Sequence, residues 1–462
     1  GNVLTLAILC AVFLAFQRGH RWVALLVPLF VAHLALTQHR ASWMGLGASV
    51  VFVAIAWRVR AKGASITSGI RFSIAAFVLV TVVLGAAGVT ALAARSGRGA
   101  PLDSSLLLRY NSFYGASRMI ADHPFLGIGP DNYRILNVQY WTPYEQEHFA
   151  RDRMQNEHPH NEFLAAAISA GIPGLLLYVL ILARGFTAGL AMYLGESEKA
   201  LRRFGLACAA FFLVFAVDGT MGFNLYAPAS GGLMFLVLGL HDGVHAGSRI
   251  SRRGPSRGLQ IAIAGSVVIA GTGAALAATV FASQIYLARG HSAMYWKSHR
   301  AAAEQFDRAS RLTPWDWMPT YYAARARAAA GDLRGALNSL TVSLRCNPRY
   351  IPSLLDAAVV EFDMATTEPP TASPDVLDAA RAYSIEVQKL CPQMPEAEDV
   401  LGRVALLEAE RRRANPGDSP AIRRRLAQEA IDRFARAIAY GAVNVPELAA
   451  LQDKARESLS TP

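Results

Sequence analysis

The sequence predicts an all-α protein in two parts, a polytopic transmembrane helical bundle followed by a soluble, tetratricopeptide-like α-solenoid. Hydrophobic residues make up 53% of the 462 residues and charged residues only 17%, which is too apolar for an ordinary soluble enzyme. Apolar runs long enough to cross a bilayer recur up to residue 283. From residue 284 the composition becomes that of a soluble protein, and prolines recur at a repeat-like spacing.

About eight apolar runs can span a hydrocarbon layer of about 30 Å. They lie at residues 3–16, 22–37, 41–57, 72–94, 163–183, 205–218, 230–241 and 259–282. The chain opens with Gly1 rather than Met, and the first run begins almost at once. We therefore expect further residues to precede Gly1, and the number of spans is a minimum.

Lysine and arginine residues gather in alternate short loops, and this bias marks the cytoplasmic side of a membrane protein. The loops between them, which include residues 95–160 and 218–229, then lie outside the membrane with the C-terminal domain, in a periplasm. Much of the net charge of +11 is accounted for as a topology signal. The charge therefore needs no nucleic acid as a partner.

We predict four regions from this pattern. They are transmembrane helices at 1–94, a periplasmic loop at 95–160, transmembrane helices at 161–283, and periplasmic helical repeats at 284–462. Within the loop, five residues at helical spacing give one largely apolar face, which predicts a helix lying on the membrane surface. These residues are Leu106, Tyr110, Phe113, Ser117 and Ile120.

The repeat prediction depends on proline spacing. Pro314 and Pro348 stand 34 residues apart, which is the tetratricopeptide period. Small or aromatic residues between them occupy plausible packing positions of one repeat, namely Tyr321, Ala324, Gly331 and Ala336. An insertion at 366–374 interrupts the period, and a further helical pair is expected at 397–410 and 421–440. A helical bundle with coincidental spacing is the alternative.

A polar run stands where the 95–160 loop meets a predicted span. It contains Glu157, His158, His160, Asn161 and Glu162, and the span that follows carries the sequence Gly-Ile-Pro-Gly at 171–174. An apolar span gains nothing from polar neighbours at its mouth unless they meet water or a ligand. This run is therefore the first candidate for a functional site.

The loop and the span that follows it contain four motifs in order, Arg109–Phe113, Met119–Tyr133, His160–Leu164 and Gly171–Gly174. As a set they resemble the O-antigen ligase/polymerase superfamily of bacterial envelope proteins. The resemblance covers about residues 20–245, and tetratricopeptide tails after the membrane domain also occur in that family. An arginine-bearing element at 37–43 departs from the family pattern, because His39 stands where a serine is usual.

The resemblance implies glycosyl transfer at the outer face of the bacterial inner membrane. A glycan carried on undecaprenyl pyrophosphate moves to a glycan, lipid or protein acceptor, without a cofactor or a metal. A guanidinium group stabilises a leaving pyrophosphate bidentately at any physiological pH, which suits Arg40 and Arg109. His160 suits proton acceptance from the acceptor hydroxyl. The remaining residues of the polar run, Asn161, His158 and Glu162, are expected to bind substrate.

Each assignment has a structural alternative. Arg40 is also compatible with an interfacial anchor, and Arg109 with a lipid-headgroup contact. His160 could serve only to hydrogen-bond backbone at the start of a helix. His158 and His160 could share a metal with a neighbouring glutamate, although metal sites need three or four ligands.

Two other functions remain open at this point. A transporter or flippase of lipid-linked sugar predicts polar residues deep within several spans. A non-catalytic assembly scaffold predicts that the repeats matter, for example by binding a partner protein, and that the loop residues do not. Polymerase, lipid A-core ligase and protein glycosylation share the donor half of the reaction, and the sequence does not separate them.

Overall fold

The computed structural model describes most of the chain outside the first predicted spans. The predicted span at 72–94 lies outside the described residues, as does the span at 3–16 apart from Ile8 and Ala11. Besides Ile8, Ala11 and Val23, the described ranges are 25–36, 40–61, 104–153, 155–222, 224–226, 228–247, 257–367, 375–413 and 419–460.

The predicted fold class is confirmed, because every regular element in the described ranges is a helix. The helices before residue 250 are α1 Leu26–Leu36, α2 Arg40–Ala61, α3 Ser104–Asp122, α4 Tyr133–Leu136, α5 Pro143–Asp152, α6 Glu162–Gly195, α7 Lys199–Gly219 and α8 Pro228–Gly247. Those after it are α9 Arg257–Tyr295, α10 His299–Leu312, α11 Trp317–Ala329, α12 Leu333–Cys346, α13 Ile351–Thr367, α14 Asp375–Leu390, α15 Pro395–Arg413, α16 Pro420–Ala439 and α17 Val445–Ser460.

The chain divides into two compact units. The first, called here the membrane unit, comprises residues 1–140 and 156–253, and the second, called the repeat unit, comprises residues 141–155 and 254–462. The predicted loop 95–160 is therefore divided, because residues 141–155 group with the repeats. Within the repeat unit, Arg153 pairs with Glu396, and the Cys391 thiol donates to the Gln146 carbonyl at 3.3 Å.

Four described helices are long and apolar enough to cross a membrane. They lie at Ser42–Ala61, Glu162–Gly195, Lys199–Gly219 and Ala264–Tyr295, and each contains or overlaps a predicted span. The runs predicted at 22–37 and 230–241 appear as shorter apolar helices, Leu26–Leu36 and Ser230–Val244. The chain is thus a multi-pass membrane protein.

Helix α7 is the centre of the membrane unit. Of its most apolar stretch 67% is buried inside the protein, against 28% of the corresponding stretches of α2 and α6. The reason is that α7 packs between those two helices. Gly189 of α6 and Gly205 of α7 let the two backbones approach closely, since a Cβ on Gly205 would lie 2.6 Å from the Gly189 carbonyl oxygen. Beside this crossing Phe186 and Phe212 are fully buried. This close packing fixes the first half of α7 against α6.

Helix α6 is broken near its start. Gly171 has φ +69° and ψ −171°, outside the helical region, and Pro173 follows it. The turn His123–Pro130 fills the gap: Ile128 N donates to Ile168 O at 2.8 Å, Gly129 N to Ser169 O at 3.0 Å, and Ile172 N to Pro124 O at 2.7 Å. A Cβ on Gly171 would meet the Phe125 carbonyl oxygen at 2.4 Å, so the glycine is required by this close approach.

Helix α3 forms where the sequence predicted a surface helix. The face that packs on protein contains Ser112, Ala116 and Met119, whereas Tyr110 and Ser117 of the predicted apolar face are exposed. Asn156 Nδ2 donates to Ser112 Oγ at 2.6 Å and so ties the histidine-bearing loop to this helix. The exposed face is compatible with contact to a membrane surface.

The repeat unit is a stack of antiparallel helices in which α10 to α17 pack in chain order. The three predicted packing residues Tyr321, Ala324 and Ala336 are buried, and Gly331 turns the chain with φ +82°. Helix α9 is continuous across residue 284. Beyond its apolar part, Ser283 and Leu287 already pack against α10.

Candidate functional site

His160 is held in an unusual backbone conformation. Its φ is +51°, in the left-handed region that non-glycine residues rarely occupy, and it directly precedes the first turn of α6. Strained backbone of this kind costs about 1–3 kcal/mol and persists where the surrounding structure enforces it, often at functional sites. The side chain is half-buried, so it is shielded and still reachable.

The guanidinium group of Arg109, on α3, acts on His160. Burial is the main cause that lowers the pKa of His160 from 6.5 to about 4, and the positive charge of Arg109 and the neighbouring His158 add to it. The imidazole is therefore neutral at pH 7 and able to accept a proton. The sequence predicted both residues, and the structure brings them together.

Asn161 joins two helices. Its side-chain oxygen caps α6 by accepting from Leu164 N at 3.0 Å, and its Nδ2 donates to the Thr220 carbonyl at 3.0 Å, just after α7 ends. The amide therefore holds the start of α6, and with it His160, against the end of α7. Its predicted part in substrate binding stays a prediction.

Glu162 points inward. Its side chain is 2% exposed and accepts backbone N–H groups of Asn224 and Leu225. Near it lies the hydroxyl of Tyr178, which is also buried. These contacts hold the segment after α7 against the start of α6. A direct contact of Glu162 with substrate stays a prediction.

Arg40 is the first residue of α2, and its side chain lies outside the described residues. Two residues later, the hydroxyl of Ser42 donates to Asp218 Oδ1 at 2.9 Å, and neither side chain has exposed surface. This bond ties the start of α2 to the end of α7. The Arg40 backbone is thereby anchored to the same helix end that Asn161 contacts.

His158 lies against Tyr226, with ring centroids 4.1 Å apart. Burial lowers the pKa of His158, and the carboxylates of Glu157 and Asp131 partly oppose this shift. Asp131 is paired with Arg134 at 2.8 Å, and both act electrostatically on His158 and on Tyr226. His158 is therefore the centre of a second group of polar side chains beside His160.

Among the described residues, no three His, Cys, Asp or Glu side chains gather in a way that could hold a metal ion.

Four residues at the site were not among the predicted site residues, namely Asp131, Arg134, Asp218 and Tyr226. For Asp218 a signal was available, since a carboxylate inside an apolar span is costly and usually functional. Asp131 directly follows the glycine- and proline-rich turn and Arg134 lies in α4, and the partner of that turn in α6 could not be read from local pattern. Tyr226 carried no signal, because single tyrosines at a membrane surface are common.

Comparisons with known proteins agree with the motifs. A family model described as O-antigen ligase matches residues 25–179, about a third of the chain. No curated protein matches the sequence. The crystal structure of a thermophilic TPR protein of Thermus thermophilus is similar to 39% of this chain and 100% of its own, at 20% identity and a TM-score of 0.25. The resemblance expected from the motifs is thus confirmed over residues 25–179, which match the O-antigen ligase family model.

Proposed function

We propose that this protein is a metal-independent membrane glycosyltransferase that transfers or polymerises a glycan from undecaprenyl pyrophosphate at the periplasmic face of the inner membrane. The observation that carries the proposal is that the positive charge of Arg109 acts on His160, whose backbone is strained. A cation and a neutral, half-buried imidazole on strained backbone stand together where a span begins. They do so inside the segment that matches the ligase family model.

The reaction needs a base on one side of the sugar and positive charge on the other. The acceptor hydroxyl oxygen forms a bond to the anomeric carbon, the bond from that carbon to the pyrophosphate oxygen breaks, and the electron pair leaves with the phosphate. His160 takes the acceptor proton and later releases it to water. Arg109 and Arg40 stabilise the departing pyrophosphate, whose charge grows as the bond breaks.

Donor binding also prepares the base. Arg109 contributes to the low pKa of His160. When a pyrophosphate pairs with Arg109, its negative charge offsets the guanidinium charge, and the pKa of His160 rises towards its ordinary value. The imidazole is thus a stronger base when donor is bound than when it is absent, which favours transfer over idle proton exchange.

The other predicted residues have supporting roles. Asn161 and Glu162 hold the start of α6 to the segment after α7. His158 faces the sugar beside the reacting bond. The acceptor is a glycan, a lipid or a protein, and the repeat unit is a surface on which an acceptor or partner protein docks.

The test is glycan transfer from a lipid-linked donor in reconstituted membranes, with the full chain and with Arg109→Ala and His160→Ala. Removing a general base lowers the rate by about 10²–10⁴-fold, so we expect losses of this order for His160→Ala. Arg118→Ala, on an exposed position of α3, and His123→Ala, also exposed, are the matched controls. A chelator is added in a parallel series and is expected to change nothing.

Both site variants transferring glycan as fast as the controls would overturn the assignment. Loss of transfer on addition of the chelator would overturn the metal-independent mechanism.

A further inference from the structure

A second group of side chains near His160 takes no part in the transfer step above. It consists of Asp131, Arg134 and Tyr226 around His158, and their mutual contacts are the 2.8 Å ion pair and the 4.1 Å ring contact. All four side chains are at least partly accessible. The group thus combines an ion pair at the surface with a tilted contact between two rings.

The backbone that carries this group is held in place by hydrogen bonds and includes a rare conformation at Asp131. Asp131 has φ +62° and is, with His160, one of the few described non-glycine residues with positive φ. The preceding Gly129 donates to Ser169 O, and the Ser169 side chain hydrogen-bonds Tyr226. Ser169 therefore anchors both the turn that carries Asp131 and the tyrosine that faces His158. Such a frame holds the side chains in place before a ligand arrives, which lowers the entropy cost of binding.

The chemistry of the group fits sugar hydroxyls. A carboxylate accepts hydrogen bonds from two neighbouring hydroxyls, and a guanidinium donates two in a plane. The ion pair is neutral overall, so it does not compete with Arg109 for the anionic pyrophosphate. Tyr226 and His158 offer ring surface to the apolar face of a pyranose while their polar atoms remain available for hydrogen bonds.

We propose that Asp131, Arg134, His158 and Tyr226 form a sugar subsite that binds the hydroxyl groups of a glycan residue next to the transferred bond. The proposal rests on the proposed function and adds the contacts that select the sugar. The sugar belongs either to the donor or to the acceptor.

The test measures binding without transfer. The probe is the free glycan released by mild acid from the lipid-linked donor, so that it carries no pyrophosphate. Its binding to the full chain in lipid nanodiscs is followed by saturation-transfer NMR. We expect Asp131→Ala and Arg134→Gln each to weaken binding at least tenfold, because a charged hydrogen-bond partner is lost.

Four further variants separate the subsite from the catalytic pair and from folding. Arg109→Ala and His160→Ala are expected to bind the free glycan as the intact protein does, even though they lose transfer. Tyr226→Phe keeps the ring and is expected to retain most of the affinity, while Tyr226→Ala is expected to lose it. Thermal unfolding of each variant identifies any that is misfolded.

Absence of glycan binding to the intact protein, or equal binding by the intact protein and the two ion-pair variants, would overturn the proposal. Failure of the proposed function would instead appear as transfer that survives in Arg109→Ala and His160→Ala. Displacement of the bound glycan by lipid-linked donor would place it at the donor sugar, and its retention would place it at the acceptor.

Discussion

The Ser42 hydroxyl donates to the Asp218 carboxylate at 2.9 Å, and this buried bond joins residues 176 positions apart. It fixes the start of α2, and so the Arg40 backbone, to the end of α7. Asn161 reaches the same end through the Thr220 carbonyl. The end of α7 at 218–220 thus sets the distance between the start of α2, which carries Arg40, and the start of α6, which follows His160.

Substitution of Asp218 tests this arrangement. Asp218→Ala leaves the buried Ser42 hydroxyl without this acceptor, and we expect a loss of about 1–3 kcal/mol in unfolding free energy. Asp218→Asn retains an oxygen acceptor and should lose less. Chemical unfolding in detergent provides the measurement. If Ser42→Ala and Asp218→Ala prove fully additive in the double variant, the two side chains do not act as a pair.

Gly171→Ala tests the break in α6. The added Cβ would lie 2.4 Å from the Phe125 carbonyl oxygen, and the backbone has φ +69°. Two independent penalties, a backbone clash and strain of about 1–3 kcal/mol, predict strong destabilisation together with loss of transfer. Gly239→Ala is the matched control, because its Cβ would have no neighbour within 4 Å. Equal melting temperatures for the two variants would contradict the observed break.

The pH dependence follows from His160. Its folded-state pKa of about 4 lies below the unfolded value near 6.5, so the folded protein binds fewer protons between these values. The His160 contribution to stability is therefore lost as the pH falls through this window and is constant above it. His160→Gln should show a shallower decline of melting temperature between pH 6.5 and pH 4, and an unchanged decline would argue against a buried, neutral imidazole.

Arg109→Gln provides a kinetic counterpart. Removing the positive charge takes away one cause of the low pKa of His160, so the acid limb of kcat/KM should move to higher pH. Arg109→Lys keeps the charge and should leave the limb in place, although its single ammonium group binds the pyrophosphate less well. The measurement is the pH profile of kcat/KM for reconstituted protein. An acid limb that stays in place in both variants would show that the Arg109 charge does not act on His160.

Phe306→Ala tests the first repeat. Phe306 is fully buried between α9 and α10, with the His291 ring 5.3 Å away. Truncating a buried phenylalanine costs about 3–5 kcal/mol. Trp315→Ala, at a 56% exposed position nearby in sequence, should cost little. A small loss for Phe306→Ala, measured by chemical unfolding in detergent, would show that the core around α10 is loosely packed.

The sequence predicted the features that depend on local pattern. Runs of apolar residues located the described spans, and the interval from Pro314 to Pro348 located a repeat, because both arise from periodicities that neighbouring residues share. The polar run around His160 was found because burying charge at a span is costly.

Features that depend on distant pairing were missed. Ser42 and Asp218 gave no sign of each other, since a hydrogen bond across 176 residues leaves no local period. Gly171 was seen only as part of a Gly-Ile-Pro-Gly sequence in a span, yet its partner is the earlier turn at 123–130, where Gly127 lies against Ile168. Tyr226 became visible only when the fold placed it on His158.

The turn at 123–130 is held to α6 through backbone atoms, by the bonds from Ile128, Gly129 and Ile172. Its tip side chains, Phe125 and Leu126, are 77% and 86% exposed and take no part in those bonds. The backbone contacts between the turn and α6 therefore do not depend on the identity of these two side chains. They do depend on the glycines at the contact. The two tip residues can therefore be exchanged without rebuilding the backbone beneath them.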